Sequence, residues 1–411
     1  MSNPKFESKK AGLWAQLMAA YRNIHLFYST YTREDHAKEN GEVGLDETIR
    51  QVLDQDRNLT VLDFHYPEKD LLNPNTYSRY SAMFGSNVRQ FIHLHCMPEL
   101  LLRYKGGGLT EDERIKVLTN LAESGDVKKY LAVSSDVRDA FVEKGLKSDH
   151  IEIVPNGINP DIYQFRSEPD RMAFRSQADI TGKYLIGYSG RLDMVKGYDN
   201  LIAIMSWFDK HPEFDIGFVI ASTHGRFTRT VHDDLMTRTP RLLQEKRVGF
   251  VIDVAKLVGN TKSRNSFVDA YFSDYMQQKL SGINPLYQGL TTVPVQALAD
   301  LYIQPSNSEG FGLAALEALA VGTPVVANRV GGLREFIPDQ IMGRLVDYHP
   351  KGSRRNKDFC DAMVSVLFDT FGSCGERDST AYRQSTRNKI LNKYSSQAMV
   401  TKTDNVYRLQ V

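Results

Sequence analysis

The stretch LYIQPSNSEGFGLAALEALAVGTPVVA, residues 301–327, contains a complete strand–helix–strand unit. Its two ends, 301–304 and 324–327, are short apolar runs of the length of buried strands. Between them, residues 312–321 are apolar on nearly every side except at Glu317, which predicts a buried helix. A helix that joins two buried strands in this way is the repeating unit of a parallel α/β sheet.

The same alternation of apolar runs and amphipathic stretches continues on both sides of this unit. Before residue 155 it predicts strands at 24–29, 60–64, 90–95, 130–134 and 151–154, and helices such as 45–53 and 136–144. After residue 183 it predicts strands at 184–188, 216–221 and 247–252 and a helix at 198–209. The sequence therefore predicts two parallel sheets covered by helices.

A break separates the two halves of this pattern. Pro155, Asn156 and Gly157 interrupt the alternation, and residues 166–181 are polar and poor in core positions, which predicts a domain boundary there. The resulting prediction is a Rossmann-like domain at 1–165 and a second one at 166–395. Because ligands of such sheets bind at the carboxyl ends of the strands, the residues that follow strands should line a cleft between the domains.

Composition disfavours several classes of protein. The 411 residues include 51 lysines and arginines against 50 aspartates and glutamates, a formal charge of +1, which argues against a chain that resides on DNA or on an anionic membrane. No run approaches the roughly 20 apolar residues that span a bilayer. Residues 11–20 have the spacing of an amphipathic helix, which more often packs on its own protein; peripheral membrane contact is the alternative.

Cysteine usage indicates the compartment. The three cysteines, Cys96, Cys360 and Cys374, are too few and too scattered for a disulfide framework, and none belongs to a C-x-x-C pair. Free thiols in a reducing compartment are the simplest interpretation, so we predict a cytoplasmic protein.

Two familiar phosphate-binding motifs are absent from the sequence. Neither half has G-x-G-x-x-G after its first strand, and the chain contains no G-x-x-x-x-G-K-[ST], which disfavours a dinucleotide-dependent dehydrogenase and a P-loop ATPase. The first alternative is SGRLDMVKG, residues 189–197, which follows the strand at 184–188. There Gly190 precedes Arg191, and Lys196 lies five residues later, so two cations at one loop could bind a diphosphate. Two solvated surface cations are the other interpretation.

A second candidate lies in the opening stretch itself. Gly310 and Gly312 allow close approach of a ligand where a helix begins, and Glu309 stands beside them. Glu317 follows in an otherwise apolar run, and a buried carboxylate needs partners, either ribose hydroxyls or an internal arginine. A third candidate is the pair Gly331 and Gly332, which brings amides to a ligand or simply turns the chain.

Histidines mark the amino-terminal half. His95 ends the strand at 90–95, His93 shares its face, and His65 follows the strand at 60–64. A histidine at a strand end can hydrogen-bond a substrate hydroxyl or stabilise charge, whereas a lone histidine in a strand is more often structural. None of the three has metal-ligand spacing.

In their order and spacing, GRLDMVKG (190–197), PSNSEGFGLAALEALAVGTPVVA (305–327) and VGGLREF (330–336) resemble the donor-domain signature of the retaining glycosyltransferase family 4. Residues 130–159 are similar to the segment that closes the amino-terminal domain of that family. The resemblance covers 88–165, 184–221 and 293–346. It implies an α/β GT-B fold, in which two Rossmann-like domains face each other across a deep cleft and a carboxyl-terminal helix, about 396–411, returns to the first domain.

The resemblance also implies roles for the site residues. Arg191 and Lys196 would grip the donor diphosphate, Glu309 would contact the donor sugar, and Glu317 would hold the ribose. His95 would lie near the anomeric centre, with His93 as the fallback for that place. The remaining donor-binding positions would be Gly190, Gly310, Phe311, Gly312 and Leu313.

The implied reaction moves a sugar from a nucleotide-sugar, such as a UDP- or GDP-sugar, to a hydroxyl of a carbohydrate, lipid-linked or other acceptor with retention of configuration. No carboxylate is obviously placed as a covalent nucleophile, so a same-face substitution is expected. No D-x-D follows a strand, so neither a metal nor another cofactor is predicted.

Two features depart from the family pattern. Residues 29–35 lack the glycine pair usual after the first strand, and a basic run from Arg226 to Arg247 follows the strand at 216–221, where the family often has a glycine turn. Separately, residues 259–290 have no clear place in the alternation. The basic run leaves a glycosyltransferase of a modified nucleic-acid base as an alternative, although a solvated face is the simpler interpretation. The altered loop leaves a non-catalytic nucleotide-sugar-binding protein as another. A phosphorylase-like enzyme would need a pyridoxal-phosphate lysine that the sequence does not place.

Overall fold

A computed structural model describes residues 24–28, 61–65, 88–99, 110–178, 180–222, 229–252, 284–285, 295–337, 343–347, 353–371 and 379–408. Several predictions fall outside these residues: the helices at 11–20 and 45–53, the loop at 29–35, most of the segment 259–290, Arg226 and Cys374. The chain divides into two compact units, one comprising Met1–Asn159 with Ser396–Val411 and the other Pro160–Ser395.

The described strands are β1 (Ile24–Tyr28), β2 (Val61–His65), β3 (Arg89–Leu94), β4 (Val127–Ala132), β5 (Ile151–Ile153), β6 (Tyr184–Ser189), β7 (Ile216–Ser222), β8 (Val248–Ile252), β9 (Asn284–Pro285), β10 (Leu301–Gln304), β11 (Val325–Asn328) and β12 (Gly343–Val346). The described helices are α1 (Glu111–Glu123), α2 (Ser135–Glu143), α3 (Glu168–Ala178), α4 (Tyr198–Asp209), α5 (Arg229–Arg238), α6 (Pro240–Gln244), α7 (Val295–Leu298), α8 (Leu313–Ala320), α9 (Leu333–Phe336), α10 (Ser353–Phe371), α11 (Ser379–Tyr394) and α12 (Ser396–Arg408), with a 3₁₀ turn at Ser148–His150.

The first unit is built on a parallel sheet whose described strands lie in the order β1-β2-β3-β4-β5. Its α1 begins at a capping box, in which the Thr110 hydroxyl and the Glu113 side chain satisfy each other's backbone amides. The carboxyl-terminal α12 packs on this sheet, because Met399, Val406 and Tyr407 share a buried cluster with Phe91 of β3. The predicted return of the last helix to the first unit is therefore confirmed.

The second unit contains a larger parallel sheet with the order β12-β11-β10-β6-β7-β8-β9. Its core lies between the sheet and two helices, where Met205 and Phe208 of α4 and Met363 of α10 meet Phe218 and Ile303 of the strands. None of the helices in the described ranges combines the length and the apolar character that crossing a bilayer requires.

Most described elements lie where hydrophobic periodicity puts them. The helix at 198–209 and the strand at 301–304 coincide with α4 and β10, and the bounds of the other elements differ by up to three residues. The polar stretch at 166–181 differs more, because its residues 168–178 form α3.

The reason for α3 is a buried ion pair that no local pattern reveals. The Arg171 side chain is only 1% exposed and bonds to Asp300, whose other carboxylate oxygen accepts from the amide of Leu185 at 2.7 Å. One charged residue therefore ties α3 to the start of β6 and β10. The second unit begins at Pro160, ahead of the predicted start at 166, because Arg387 of this unit donates to the carbonyls of Pro160 and Tyr163.

Candidate functional site

The candidate site lies in the second unit, where the order of its strands reverses. From β6 the chain adds β7, β8 and β9 on one side, and then returns to place β10, β11 and β12 on the other. Such a reversal opens a crevice at the carboxyl ends of the two central strands, which is where open parallel α/β sheets bind ligands. The loops that follow β6 and β10, together with the helix α8 that continues the second loop, therefore form the candidate site. They carry all the predicted site residues except His95 and its alternative, His93.

These two loops are locked together. Gly197, the last residue of the first loop, has φ 72° and runs so close to Pro305 that an added Cβ would lie 1.8 Å from its carbonyl oxygen. Glycine is needed for both the left-handed conformation and the contact. Asn200 in the first turn of α4 extends the junction by donating to the Pro305 carbonyl at 2.7 Å and to Asn307 Oδ1 at 2.9 Å.

Lys196 and Glu309 form an ion pair across the junction. Lys196 Nζ lies 2.7 Å from Glu309 Oε1 and 2.8 Å from Oε2. Gln304 Nε2 and Ser306 Oγ each donate to Oε1 at 2.8 Å. The carboxylate is 5% exposed and the lysine side chain 28%. The buried charge is thus met by a cation and two neutral donors, while the lysine retains a face toward solvent.

Arg191 has a different environment from Lys196. Its side chain is 51% exposed, and Nε pairs with Asp193 Oδ2 at 2.8 Å within the same loop. The Tyr188 hydroxyl stabilises this loop by donating to the carbonyls of Arg191 at 3.0 Å and Lys196 at 3.3 Å. An exposed pair is weak, so a ligand phosphate could replace Asp193 as the partner of Arg191 at little cost.

The residues just before α8 contact the loop that joins β11 to α9. Gly312 precedes the helix with φ 97°, and Phe311 packs on Phe336 with ring centroids 5.2 Å apart. An added Cβ on Gly331 would lie 1.8 Å from the Glu309 carbonyl oxygen, and the Gly332 amide donates to the Gly310 carbonyl at 3.3 Å. The glycine pair at 331–332 therefore serves close packing of loops. The first amides of α8 remain a predicted anion-binding element.

Glu317 lies on α8 with its carboxylate half-exposed, rather than fully buried as the apolar run predicts. Its Oε1 accepts from the Tyr163 hydroxyl at 2.6 Å, and its Oε2 accepts from Gln296 Nε2 at 2.9 Å. Gln296 Nε2 also lies 3.0 Å from Ser189 Oγ, at the end of β6. Burial and the Glu317 charge raise the pKa of Tyr163 far above its usual value, so the phenol stays protonated and acts as a donor.

Sequence reasoning missed the residues that support the two glutamates. Gln296, Gln304 and Ser306 are buried amide and hydroxyl groups, and Tyr163 reaches Glu317 from a distant part of the sequence. The available signal was local for two of them, since Gln304 and Ser306 flank the end of β10. Gln296 and Tyr163 carry no pattern that distinguishes them from ordinary polar residues.

His95 belongs to the first unit, directly after β3. Its ring is half-buried and stacks on that of His93, with centroids 5.4 Å apart. His93 is buried, and its Nε2 lies 2.9 Å from Asp63 Oδ2. Tyr407 of α12 donates to the same carboxylate oxygen. The geometry makes His93 a structural residue at this place and leaves His95 as the more accessible of the two. The side chain of His65 lies outside the described set.

The basic run is used largely within the second unit. Arg241 donates to the carbonyl of Asp209 at 2.7 Å and pairs with Glu245 at 2.8 Å. Arg247 pairs with the same Glu245 at 2.6 Å and with Asp215. Among the described members of the run, these two arginines stabilise local structure, so they offer little support for the nucleic-acid alternative.

Metal ligands and thiols complete the description of candidate groups. In the described ranges, no cluster of three or more His, Cys, Asp or Glu side chains could hold a metal ion. Cys96 and Cys360 are free thiols. Metal independence and the cytoplasmic location remain predictions.

Known proteins resemble this chain in sequence and in fold. Residues 292–353 match the family model of glycosyl transferases group 1. This group 1 segment contains Gln296, Glu309, Glu317 and the glycine pair at 331–332, which is one side of the strand reversal. The D-inositol 3-phosphate glycosyltransferase of Corynebacterium aurimucosum is 29% identical over 258 residues, which are 61% of this chain and 50% of that protein. That of Saccharomonospora viridis is 45% identical over 82 residues, 20% of this chain and 18% of the relative.

The chain spans about half the length of the first of these curated relatives. Solved structures resemble the chain in fold. HepE of Anabaena in complex with UDP has a TM-score of 0.61 at 17% identity, over 87% of this chain and 81% of that one. Sucrose-phosphate synthase from Thermosynechococcus elongatus has a TM-score of 0.56 at 18% identity, over 89% and 77%. These likenesses confirm the predicted GT-B fold with two Rossmann-like α/β units.

Proposed function

We propose that the chain is a retaining glycosyltransferase of family 4 that moves a sugar from a nucleoside-diphosphate sugar to an acceptor hydroxyl without a metal. The observation that carries the proposal is the gathering of Arg191, Lys196, Glu309 and the start of α8 at the strand reversal of the second unit. The match of residues 292–353 to glycosyl transferases group 1 supports it independently.

The chemistry follows from the charges that develop. The bond between the anomeric carbon and the phosphate oxygen breaks, leaving negative charge on the diphosphate and positive charge on the sugar ring. Arg191, Lys196 and the first amides of α8 stabilise the departing diphosphate, and preorganised groups of this kind are commonly the largest catalytic contribution. The acceptor oxygen bonds to the same face of the anomeric carbon, and its proton passes to the phosphate oxygen.

The ion pair of Lys196 and Glu309 suggests two roles for Glu309. Glu309 is held by Gln304 and Ser306, so its position is set before the donor arrives. We propose that Glu309 orients the sugar hydroxyls. By pairing with Lys196, it also holds the lysine ammonium beside the diphosphate. Glu317 binds the ribose, and Gly190, Gly310, Phe311, Gly312 and Leu313 line the donor. His95 is the residue that the family resemblance implies for the place near the anomeric carbon.

The neighbours and relatives suggest the first substrates to test. HepE of Anabaena is solved with UDP and with UDP-glucose, so a UDP-sugar is the first donor, and a GDP-sugar is the next. The relatives named D-inositol 3-phosphate glycosyltransferase suggest a phosphorylated polyol as the first acceptor.

The experiment is a panel of UDP-, GDP- and ADP-sugars with release of the free nucleotide as the readout, with and without acceptors. Arg191→Ala should lower turnover on the productive donor by on the order of 100-fold, as loss of one charge-stabilising donor usually does. Arg408→Ala is the matched control, because that exposed arginine also pairs with an aspartate through Nε at 2.8 Å but lies on α12 of the first unit. Tight nucleotide binding without any sugar transfer or donor hydrolysis would instead support the non-catalytic binding protein.

A further inference from the structure

Tyr163 lies at the point where the second unit begins and contacts the carboxylate assigned to the ribose. Its hydroxyl donates to Glu317 Oε1 at 2.6 Å, while Gln296 donates to Oε2 at 2.9 Å. Each oxygen of the carboxylate thus has its own donor. Two donors on two oxygens fix both the position of a carboxylate and the rotation of its plane.

Tyr163 is itself held from behind. The Arg387 guanidinium donates to the backbone carbonyl of Tyr163 and to that of Pro160. It also donates to the carbonyl of Ala320, the last residue of α8, less than one helical turn after Glu317. Arg387 therefore holds residues 160–163 (the entering segment, where the chain enters the second unit) against the helix that carries Glu317. These contacts fix the backbone around Tyr163 and so direct its phenol toward the carboxylate.

Gln296 connects the same carboxylate to the diphosphate loop. Its side-chain nitrogen lies 3.0 Å from Ser189 Oγ, immediately before Gly190. Tyr302 adds to this junction, because the Ser189 amide donates to its hydroxyl at 3.1 Å. The carboxylate is thus tied to the entering segment by Tyr163 and to the phosphate side of the site by Gln296.

We propose that Tyr163 is a positioning residue that sets the ribose selectivity of the nucleotide site. The proposal rests on the proposed function, because it takes Glu317 as the acceptor of the ribose hydroxyls. A carboxylate fixed in its plane can accept from the 2′- and 3′-hydroxyls together, whereas a carboxylate free to rotate cannot hold both geometries. Tyr163 therefore makes the site discriminate a ribonucleotide from its 2′-deoxy analogue, which leaves the carboxylate with an unmatched acceptor.

The test is calorimetric titration of UDP and 2′-deoxy-UDP into the full chain. The wild type should bind UDP at least roughly tenfold more tightly than 2′-deoxy-UDP, because the site loses a hydrogen bond to a charged group. Tyr163→Phe removes one oxygen atom and keeps the ring. It should weaken UDP binding until the preference is within about threefold, while the affinity for 2′-deoxy-UDP changes little. This pattern distinguishes positioning from a general loss of structure, which would weaken both ligands alike.

Tyr198→Phe is the matched control. The Tyr198 hydroxyl donates to Asp234 Oδ2 at 2.7 Å, so this variant also removes a phenol from a carboxylate, on a helix pair that carries none of the ribose contacts. It should retain the wild-type preference. A Tyr163→Phe variant with the wild-type preference would overturn the proposal and leave the proposed function standing. A wild type that binds none of UDP, GDP and ADP would overturn both this proposal and the proposed function.

Discussion

The pair of Lys196 and Glu309 gives the sharpest prediction about stability. In Lys196→Met, the Glu309 carboxylate keeps the donors Gln304 and Ser306 but loses its cation, and it remains 5% exposed. Removing one partner of a fully buried ion pair costs about 3–5 kcal/mol. Because the lysine is 28% exposed, water can partly replace it, so we expect a loss of about 2–3 kcal/mol. For a unit of this size, that corresponds to a fall in Tm of about 4–12 °C.

The assay is thermal unfolding of four proteins without ligand: wild type, Lys196→Met, Glu309→Gln and the double variant. The double variant should recover most of the lost stability, because the neutral amide no longer needs a cation and can still accept from Ser306. Arg191→Met is the control, since its pair with Asp193 is exposed and should contribute less than about 1 kcal/mol. A Lys196→Met variant within about 0.5 kcal/mol of the wild type, with no coupling in the double variant, would refute the reasoning.

Further predictions concern backbone, core and thiol groups. Gly197→Ala adds a Cβ 1.8 Å from a backbone oxygen, whereas Gly145→Ala, at a residue that also has a positive φ, meets open space. Gly197→Ala should therefore lower the free energy of unfolding at least twice as much as Gly145→Ala. Equal losses of unfolding free energy in thermal unfolding would contradict the close contact. Arg171→Met removes the cation from the buried Asp300 carboxylate, which keeps the Leu185 amide as a donor, and should cost about 3 kcal/mol in urea unfolding; a loss below about 1 kcal/mol would show that Arg171 does not anchor α3. Burial raises the pKa of Cys96 to about 11. At pH 8 the alkylation of Cys96, followed by mass spectrometry, should therefore be on the order of 100-fold slower than in the urea-unfolded chain, and it should accelerate as the pH rises toward 11. Equal alkylation rates at pH 8 would contradict this.

Hydrophobic periodicity predicts most of the described fold because strands and helices are set by neighbours in sequence. The unit at 301–327 places β10, α8 and β11 within one residue of their observed bounds. Periodicity fails at α3, where a buried arginine from a polar stretch pairs with Asp300, 129 residues later in the sequence. Pairing over such a separation leaves no trace in local composition.

The candidate site is predictable in its members and not in their partners. The motifs identify Arg191, Lys196, Glu309 and Glu317, yet they present Arg191 and Lys196 as equivalent cations. Only the packing of the two loops separates an exposed arginine from a lysine bonded to a buried carboxylate. The same limit applies to Tyr163, whose contact with Glu317 depends on the clamp formed by Arg387.

The most direct test of the central claim is a crystal structure of the full chain soaked with UDP-glucose. The account predicts that the diphosphate lies against Arg191, Lys196 and the first amides of α8, with the ribose hydroxyls on Glu317. A nucleotide bound elsewhere, with the carboxyl ends of β6 and β10 empty, would contradict it.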